Sequence, residues 1–166
     1  LPYKPEILEE FEDDSSFMAA VNESIAKNDV FHTREFESIY QFSVYRNLAY
    51  YVIRVLHPQR IVETGVFHGL TSMWLLHALN QNADGGRLVS IDLPRREWER
   101  FFPGQAMGPG HQDEDELPGG VDPGWFVPDS LLAAWDLRIG PSSLLLEDVL
   151  KEGPTQLFVH DSDHSY

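Results

Sequence analysis

A chain of 166 residues with 42% apolar content is long enough for one domain with a buried core and short for two, and the absence of cysteine removes disulfides, thiolate metal sites and cysteine nucleophiles. The formal net charge of -15, with basic residues scattered singly or in pairs such as Arg95-Arg96, disfavours a nucleic-acid partner. No apolar run approaches the roughly 18 residues of a membrane span, and the N-terminus "LPYKPEILEE" is acidic, so a soluble, cytoplasmic protein is expected; Leu in place of an initial Met suggests a processed or excised segment.

Residues 1–14 carry Glu6, Glu9, Glu10, Glu12, Asp13 and Asp14 against the single Lys4, which predicts a solvated arm. A short helix follows, capped by Ser15 or Ser16 and running through Phe17, Met18, Val21 and Ile25. Phe36, Tyr40, Val44, Leu48, Tyr51 or Val52, and Val55 then recur at helical spacing until Pro58, predicting one long amphipathic helix. The period changes at "RIVET" (60–64), which is short, β-branched and followed by Gly65; "LTSMWLLHALNQ" (70–81) is helical, and "GRLVSID" (86–92) is again a strand. A β-α-β unit of this kind implies a parallel sheet.

From Pro94 to about Asp129 regularity disappears into prolines, glycines and the acidic run "DEDE" at 113–116, a length of loop that is functional or disordered when it occurs inside a domain. Trp98, Trp125 and Phe126 within it are candidates for shaping a pocket. A short helix (129–134), a strand "WDLRI" (135–139), a helix (142–150) and the strand "TQLFVH" (155–160) complete the pattern. The order α-α-β-α-β-loop-α-β-α-β is an α/β, Rossmann-like, doubly wound half with expected strand order 3-2-1-4, and it leaves "LFVH" as an exposed apolar edge that invites pairing, so a homo-oligomer is among the expected states.

The chemistry concentrates where the first strand turns into its helix. Gly65 and Gly69 permit a tight turn and close backbone approach, and the helix behind them offers unpaired N–H groups, although an ordinary βα turn has the same outline. A dinucleotide fingerprint is broken, because Phe67 stands where the second glycine belongs, and no Gly-Lys-Ser/Thr phosphate loop is present. Glu63 at the strand's end would repel phosphate and favour a cation. Asp92 ends the second strand, where a carboxylate can accept both hydroxyls of a ribose. A nucleoside with a positively charged, phosphate-free tail satisfies these features, and S-adenosylmethionine is such a molecule.

On those residues the chain resembles the class I S-adenosylmethionine-dependent methyltransferases. "VETGVFHGLTS" is similar to their E/D-x-G-x-x-x-G first motif, "LVSIDLP" to the acidic second motif, and "LFVHDSDHSY" to the hydrophobic-Asp-Gly-Asp-His-Ser-Tyr signature of the methyltransferase-24-like group, with Ser162 in place of glycine. The resemblance implies a methyltransferase, in particular one acting on a hydroxyl of a small molecule, with residues 1–58 as an acidic arm and helices. Residues 59–166 would be a partial cofactor domain interrupted at about 94–129, lacking the fifth strand and the closing antiparallel pair. It further implies that Glu63, Gly65 and Gly69 line the methionine end of the cofactor with Thr64 and Val66 beside them, Thr71 or Ser72 the helix start, Asp92 and Leu93 the ribose, and Gly140 and Ser142 the adenine.

By the same resemblance Asp161 is a catalytic-site residue that binds cofactor or a divalent cation such as Mg, and His164 is a general base removing a proton from the acceptor hydroxyl. Asp161 also suits ordering of the cofactor's ammonium group or capping of a helix, and Asp163 and Ser165 suit a turn. One aspartate alone does not hold a hard cation, which takes about six oxygens. His160 and His68 read as structural. Two other functions remain open at this point: a metal-dependent hydrolase built on Asp161, Asp163 and His164, and a non-catalytic nucleoside-binding module.

Overall fold

In the computed structural model, which describes residues 4–27, 44–107, 117 and 121–162, four parallel strands lie side by side. Across the sheet they run β3 (Trp135–Ile139), β2 (Arg87–Asp92), β1 (Arg60–Thr64) and β4 (Leu157–His160), the 3-2-1-4 order read from the sequence. Ile61 pairs with Leu88 on one side and Leu157 on the other, and Asp92 pairs with Ile139, so the strand ends that follow β1, β2 and β3 are level. The chain moves outward from β1 through β2 to β3 and then returns to β1's other side for β4. This reversal opens a crevice at the carboxyl ends of β1 and β4, where ligands bind in open α/β sheets.

Helices α1 (Pro5–Asp13), α2 (Ser15–Lys27), α3 (Val44–Leu56) and α4 (Leu70–Asn82) precede and follow β1; a short α5 (Trp98–Phe101) follows β2, and α6 (Ser142–Lys151) follows β3. The larger core joins one sheet face, through Ile61 and Leu88, to Met73, Leu75 and Leu76 of α4, Tyr50 and Ile53 of α3, and Phe17 and Val21 of α2. Every residue from Thr71 through Leu79 is buried, because α4 is sandwiched between the sheet and α3. The other face is a smaller core of Val62, Val89, Ile91 and Val149 under α6. The edge strand β4 leaves Phe158 46% exposed. Among the described residues no helix is long and apolar enough to cross a membrane.

Three expectations change. The acidic N-terminus is a docked helix: Ile7 is buried, the Lys4 amide donates to Tyr51 Oη at 2.7 Å, and Glu10 receives a two-pronged bond from Arg54 at 3.0 Å. Its acids screen an amphipathic register that composition alone conceals. The cap of α2 is Asp14, whose Oδ1 accepts from the Phe17 amide and from Ser16 Oγ, not Ser15 or Ser16. In α3, whose described part begins at Val44, the buried face is Tyr50 and Ile53, while Leu48 is 58% exposed, because the helix turns its 50/53 ridge onto α4. The first half of the expected long helix and the acidic run 113–116 lie outside the described residues.

Ile7 distinguishes a packed helix from a solvated arm. Ile7→Ala is expected to lower unfolding free energy in urea titration by about 2 kcal/mol, as core truncations do; a change within about 0.5 kcal/mol, normal for surface positions, would return the segment to solvent.

Candidate active site at the carboxyl edge of the sheet

The turn after β1 has a backbone that only glycine suits at two points. Gly65 (φ +85) lies so close to the end of β4 that a Cβ there would come within 2.4 Å of the Asp161 carbonyl oxygen. Gly69 (φ +87) precedes α4 and would place a Cβ 2.6 Å from the Gly124 Cα. Between them Phe67 also takes a left-handed conformation (φ +51), which costs energy in a residue with a side chain and is held by contacts at both ends. Its amide faces the Asp92 carboxylate, and its carbonyl accepts from the Gly124 amide at 2.8 Å.

Three acids meet at this end of the sheet. Glu63 is wholly buried on the α4 face of β1, where its Oε2 accepts from Ser72 Oγ at 2.6 Å and Ser90 Oγ at 2.7 Å; Ser90 Oγ in turn accepts from Trp135 Nε1 at 2.8 Å. Its Oε1 is buried with no hydrogen-bond partner among the described residues. Burial pushes the Glu63 carboxyl up to about 7; the two serine hydroxyls oppose that, and the charges of Asp161 and Asp92 add to it. Asp92 is half-buried and also raised, chiefly by burial, against the pull of the Val66, Phe67 and Leu93 amides. Asp161 is exposed, accepts from Thr71 Oγ1 at 2.6 Å, and donates its amide to the Thr64 carbonyl at 2.8 Å. Among the described residues no lysine or arginine pairs with any of the three.

The remaining expected residues fall around these acids. Val66 is buried with its amide 3.2 Å from Asp92 Oδ1, and Leu93 is half-buried directly after β2. Thr71 and Ser72 open α4 and turn their hydroxyls to Asp161 and Glu63 respectively. Gly140 donates its amide to the Asp92 carbonyl at 2.8 Å, so Ser142, first in α6, sits beside the end of β2. Thr64 Oγ1 is 2.7 Å from His160 Nδ1, and His160 is exposed. His164, Asp163 and Ser165 lie outside the described residues. Among the described residues no group of three or more His, Asp or Glu side chains could hold a metal ion, so Asp161 gains no companion ligands there.

Residues 121–127 lie against this loop. The Gly124 amide donates to the Phe67 carbonyl, the Phe126 amide to the His68 carbonyl at 3.1 Å, and Trp125 Nε1 to His68 Nδ1 at 2.8 Å. Phe126 is fully buried, so it belongs to the core and not to a pocket wall. Sequence reasoning named Trp125 and Phe126 but missed the contact of their segment with this loop, and it missed Ser90 as a partner of Glu63 and Trp135 as the partner of Ser90. The signal for Ser90 was present: a serine within the otherwise apolar "RLVSID", paired in register with Glu63.

The family model described as "Methyltransferase domain" matches residues 62–166. No curated protein matches the chain. Among solved structures, an O-methyltransferase from Bacillus cereus in complex with SAH is similar with a TM-score of 0.51 and 16% identity over 91% of this chain and 56% of its own, a likeness of fold. The O-methyltransferase TomG from Streptomyces achromogenes, in complex with SAM, gives 0.49 and 20% over 90% of this chain and 54% of its own. The SAH-bound Podospora anserina methyltransferase PaMTH1 gives 0.48 and 13%, over 98% and 60%. The chain thus spans between 54% and 60% of the length of these structures.

The Glu63 carboxyl makes stability depend on pH. Its folded value, about 7, lies above its ordinary 4.5, so the folded state keeps a proton that the unfolded state releases, and stability falls as pH rises through that window. Glu63→Gln removes the ionisation: relative to the parent it is expected to gain on the order of 3 kcal/mol between pH 4.5 and 8, from about 1.4 kcal/mol per unit. Thermal unfolding of both proteins across that range measures the difference, and parallel curves would mean that Glu63 does not ionise there.

Proposed function

The chain belongs to the methyltransferase domain family, and on that premise we propose that it is the cofactor-binding portion of an S-adenosylmethionine-dependent methyltransferase that methylates a hydroxyl of a small molecule. The observation that carries the reading is the meeting of Glu63, Asp92 and Asp161 at one end of the sheet with no basic side chain paired to them among the described residues. A cationic ligand relieves their mutual repulsion, whereas a phosphate would add to it. In this reading residues 59–166 are the cofactor domain, and the described helices α2 and α3 buttress α4 from behind.

The residues present suit such a ligand. Asp92 has the place and the charge to accept two vicinal hydroxyls of a ribose, Leu93 and Ser142 flank it, and Val66 keeps the carboxylate aimed through its amide. The Gly65–Gly69 turn, with Thr64, lies against the amino-acid end. Asp161, with one oxygen engaged by Thr71, has the other to offer an ammonium group. Glu63 works from the interior: by tying Ser72 of α4 to Ser90 of β2 it fixes the angle at which the loop leaves the sheet. When bound, S-adenosylmethionine supplies an electrophilic methyl group on a sulfonium. The protein's part is to hold that sulfonium in a water-poor site and to place the acceptor oxygen in line with it, and His164 is the proposed base for the hydroxyl proton.

Among the described residues Asp161 has no companion ligands for a divalent cation. The family match favours methyl transfer over a metal-dependent hydrolase built on Asp161, Asp163 and His164. A non-catalytic nucleoside-binding module predicts cofactor affinity without methyl transfer by the longer protein.

Isothermal calorimetry with S-adenosylmethionine tests the reading on this chain. Binding is expected, and Asp92→Asn is expected to weaken it at least tenfold, from the roughly 1.5–3 kcal/mol of hydrogen bonds to a charged group. No heat with the parent chain, or equal affinity in Asp92→Asn, would sink the assignment.

A further inference from the structure

We infer that residues 121–127, the closing end of the Pro/Gly-rich insertion, clamp the Gly65–Gly69 loop, and that Trp125 is a positioning residue that keeps His68 uncharged where a cationic cofactor binds. The cofactor half of this inference rests on the proposed function; the clamp stands on contacts within the chain.

The clamp is fastened at both ends. Arg96 donates to the Val121 carbonyl and pairs with the Asp122 carboxylate, so the start of the insertion holds its finish. At the other end Phe126 and Val127 are buried in the larger core. Between these anchors the Gly124 and Phe126 amides donate to the carbonyls of Phe67 and His68. The approach is close enough to require glycine on both sides: Gly69 meets the Gly124 Cα, and a Cβ on Gly124 (φ +75) would run into the Trp135 ring at 2.0 Å. Two donors, two anchors and a steric match of this kind hold one loop conformation, including the left-handed Phe67.

The side-chain contact has an electrostatic consequence. An indole nitrogen donates and cannot accept, so the 2.8 Å bond from Trp125 Nε1 makes His68 Nδ1 the acceptor and puts the ring hydrogen of the neutral form on Nε2. Charging the ring means placing a proton on Nδ1, which the indole must first vacate. Burial acts in the same direction, lowering the His68 imidazolium to about 4. The charged groups on the described elements around it include Asp122, paired with Arg96, Asp92, bonded to the loop amides, and Asp161, bonded to Thr71. An imidazolium inside this loop would repel a sulfonium, and two charges in a partly buried site are poorly screened by salt.

The test uses the whole chain and two readouts. In NMR titration without ligand, the His68 ring of the parent is expected not to titrate above pH 5, whereas in Trp125→Phe, which keeps an aromatic ring and loses the donor, its midpoint moves up by about one unit or more toward the ordinary 6.5. In calorimetry with S-adenosylmethionine, Trp125→Phe is expected to lose affinity between pH 8 and pH 5 by about twofold more than the parent does, since a midpoint near 5 leaves about half of the His68 rings charged at pH 5. Adding His68→Asn, which supplies an amide and cannot charge, should abolish that extra loss. An unmoved His68 midpoint in Trp125→Phe, or an extra loss that survives His68→Asn, overturns the inference. A parent that gives no heat while the His68 midpoint still moves overturns the cofactor reading and leaves the clamp standing. Should Trp125→Phe fail to fold, amide exchange in the parent decides: Gly124 and Phe126 amides protected well beyond exposed turns support the clamp, and rapid exchange refutes it.

Discussion

One carboxylate oxygen, Glu63 Oε2, receives hydroxyls from both Ser72 and Ser90, and the arrangement of the site depends on that choice. The two bonds join the first turn of α4 to the strand beside β1, and Ser90 passes the connection to Trp135 on β3. Trp135 in turn lies under Gly124, which rests on Gly69. A single thread of polar and steric contacts therefore crosses three strands and returns to the loop from which it began. A buried carboxyl with one oxygen unpartnered among the described residues is costly in an interior that otherwise excludes charge. Its retention at the loop's root fits a site in which orientation outweighs local stability.

The tight places are steric as much as electrostatic. Gly65 touches the backbone after β4, and Gly69 touches the clamp, so the loop is gripped from two directions by segments far apart in sequence. Neither glycine can gain a side chain without displacing backbone. The acids Asp92 and Asp161 enter the same geometry differently. Asp92 is braced by loop amides and Asp161 by the Thr71 hydroxyl, which fixes the carboxylates.

The sheet was legible because its signals are local. A β-branched run ending in Glu-Thr-Gly, a helix of unbroken apolar character and an acid closing the next strand specify β1, α4 and β2 within a short stretch of chain, and their order implies the rest of the sheet. The N-terminal helix was hidden by its charge, since Glu6, Glu9 and Glu10 read as solvated when the partner of Glu10, Arg54, lies 44 residues away. The buried ridge of α3 was misjudged because apolar residues occupy more than one face, and only the neighbour decides which face is inside. The clamp was invisible for the same reason: prolines and glycines announce irregular backbone, and nothing in them announces that a glycine at 124 is small so that another at 69 can meet it.

The sheet's most buried strand acquires its two neighbours under very different conditions. β1 pairs with β2 across a single helix, but the contact of Thr64 with His160 closes a span of 96 residues, the larger cost in loop-closure entropy. Until β4 arrives, Ile61 and Val62 form an open edge with unpaired amides, and the bond from Thr71 to Asp161 has no acceptor. As the chain leaves a ribosome, Asp161 is thus delivered well after Glu63 and Asp92, and a partly synthesised chain would carry those two acids with an unprotected template strand beside them.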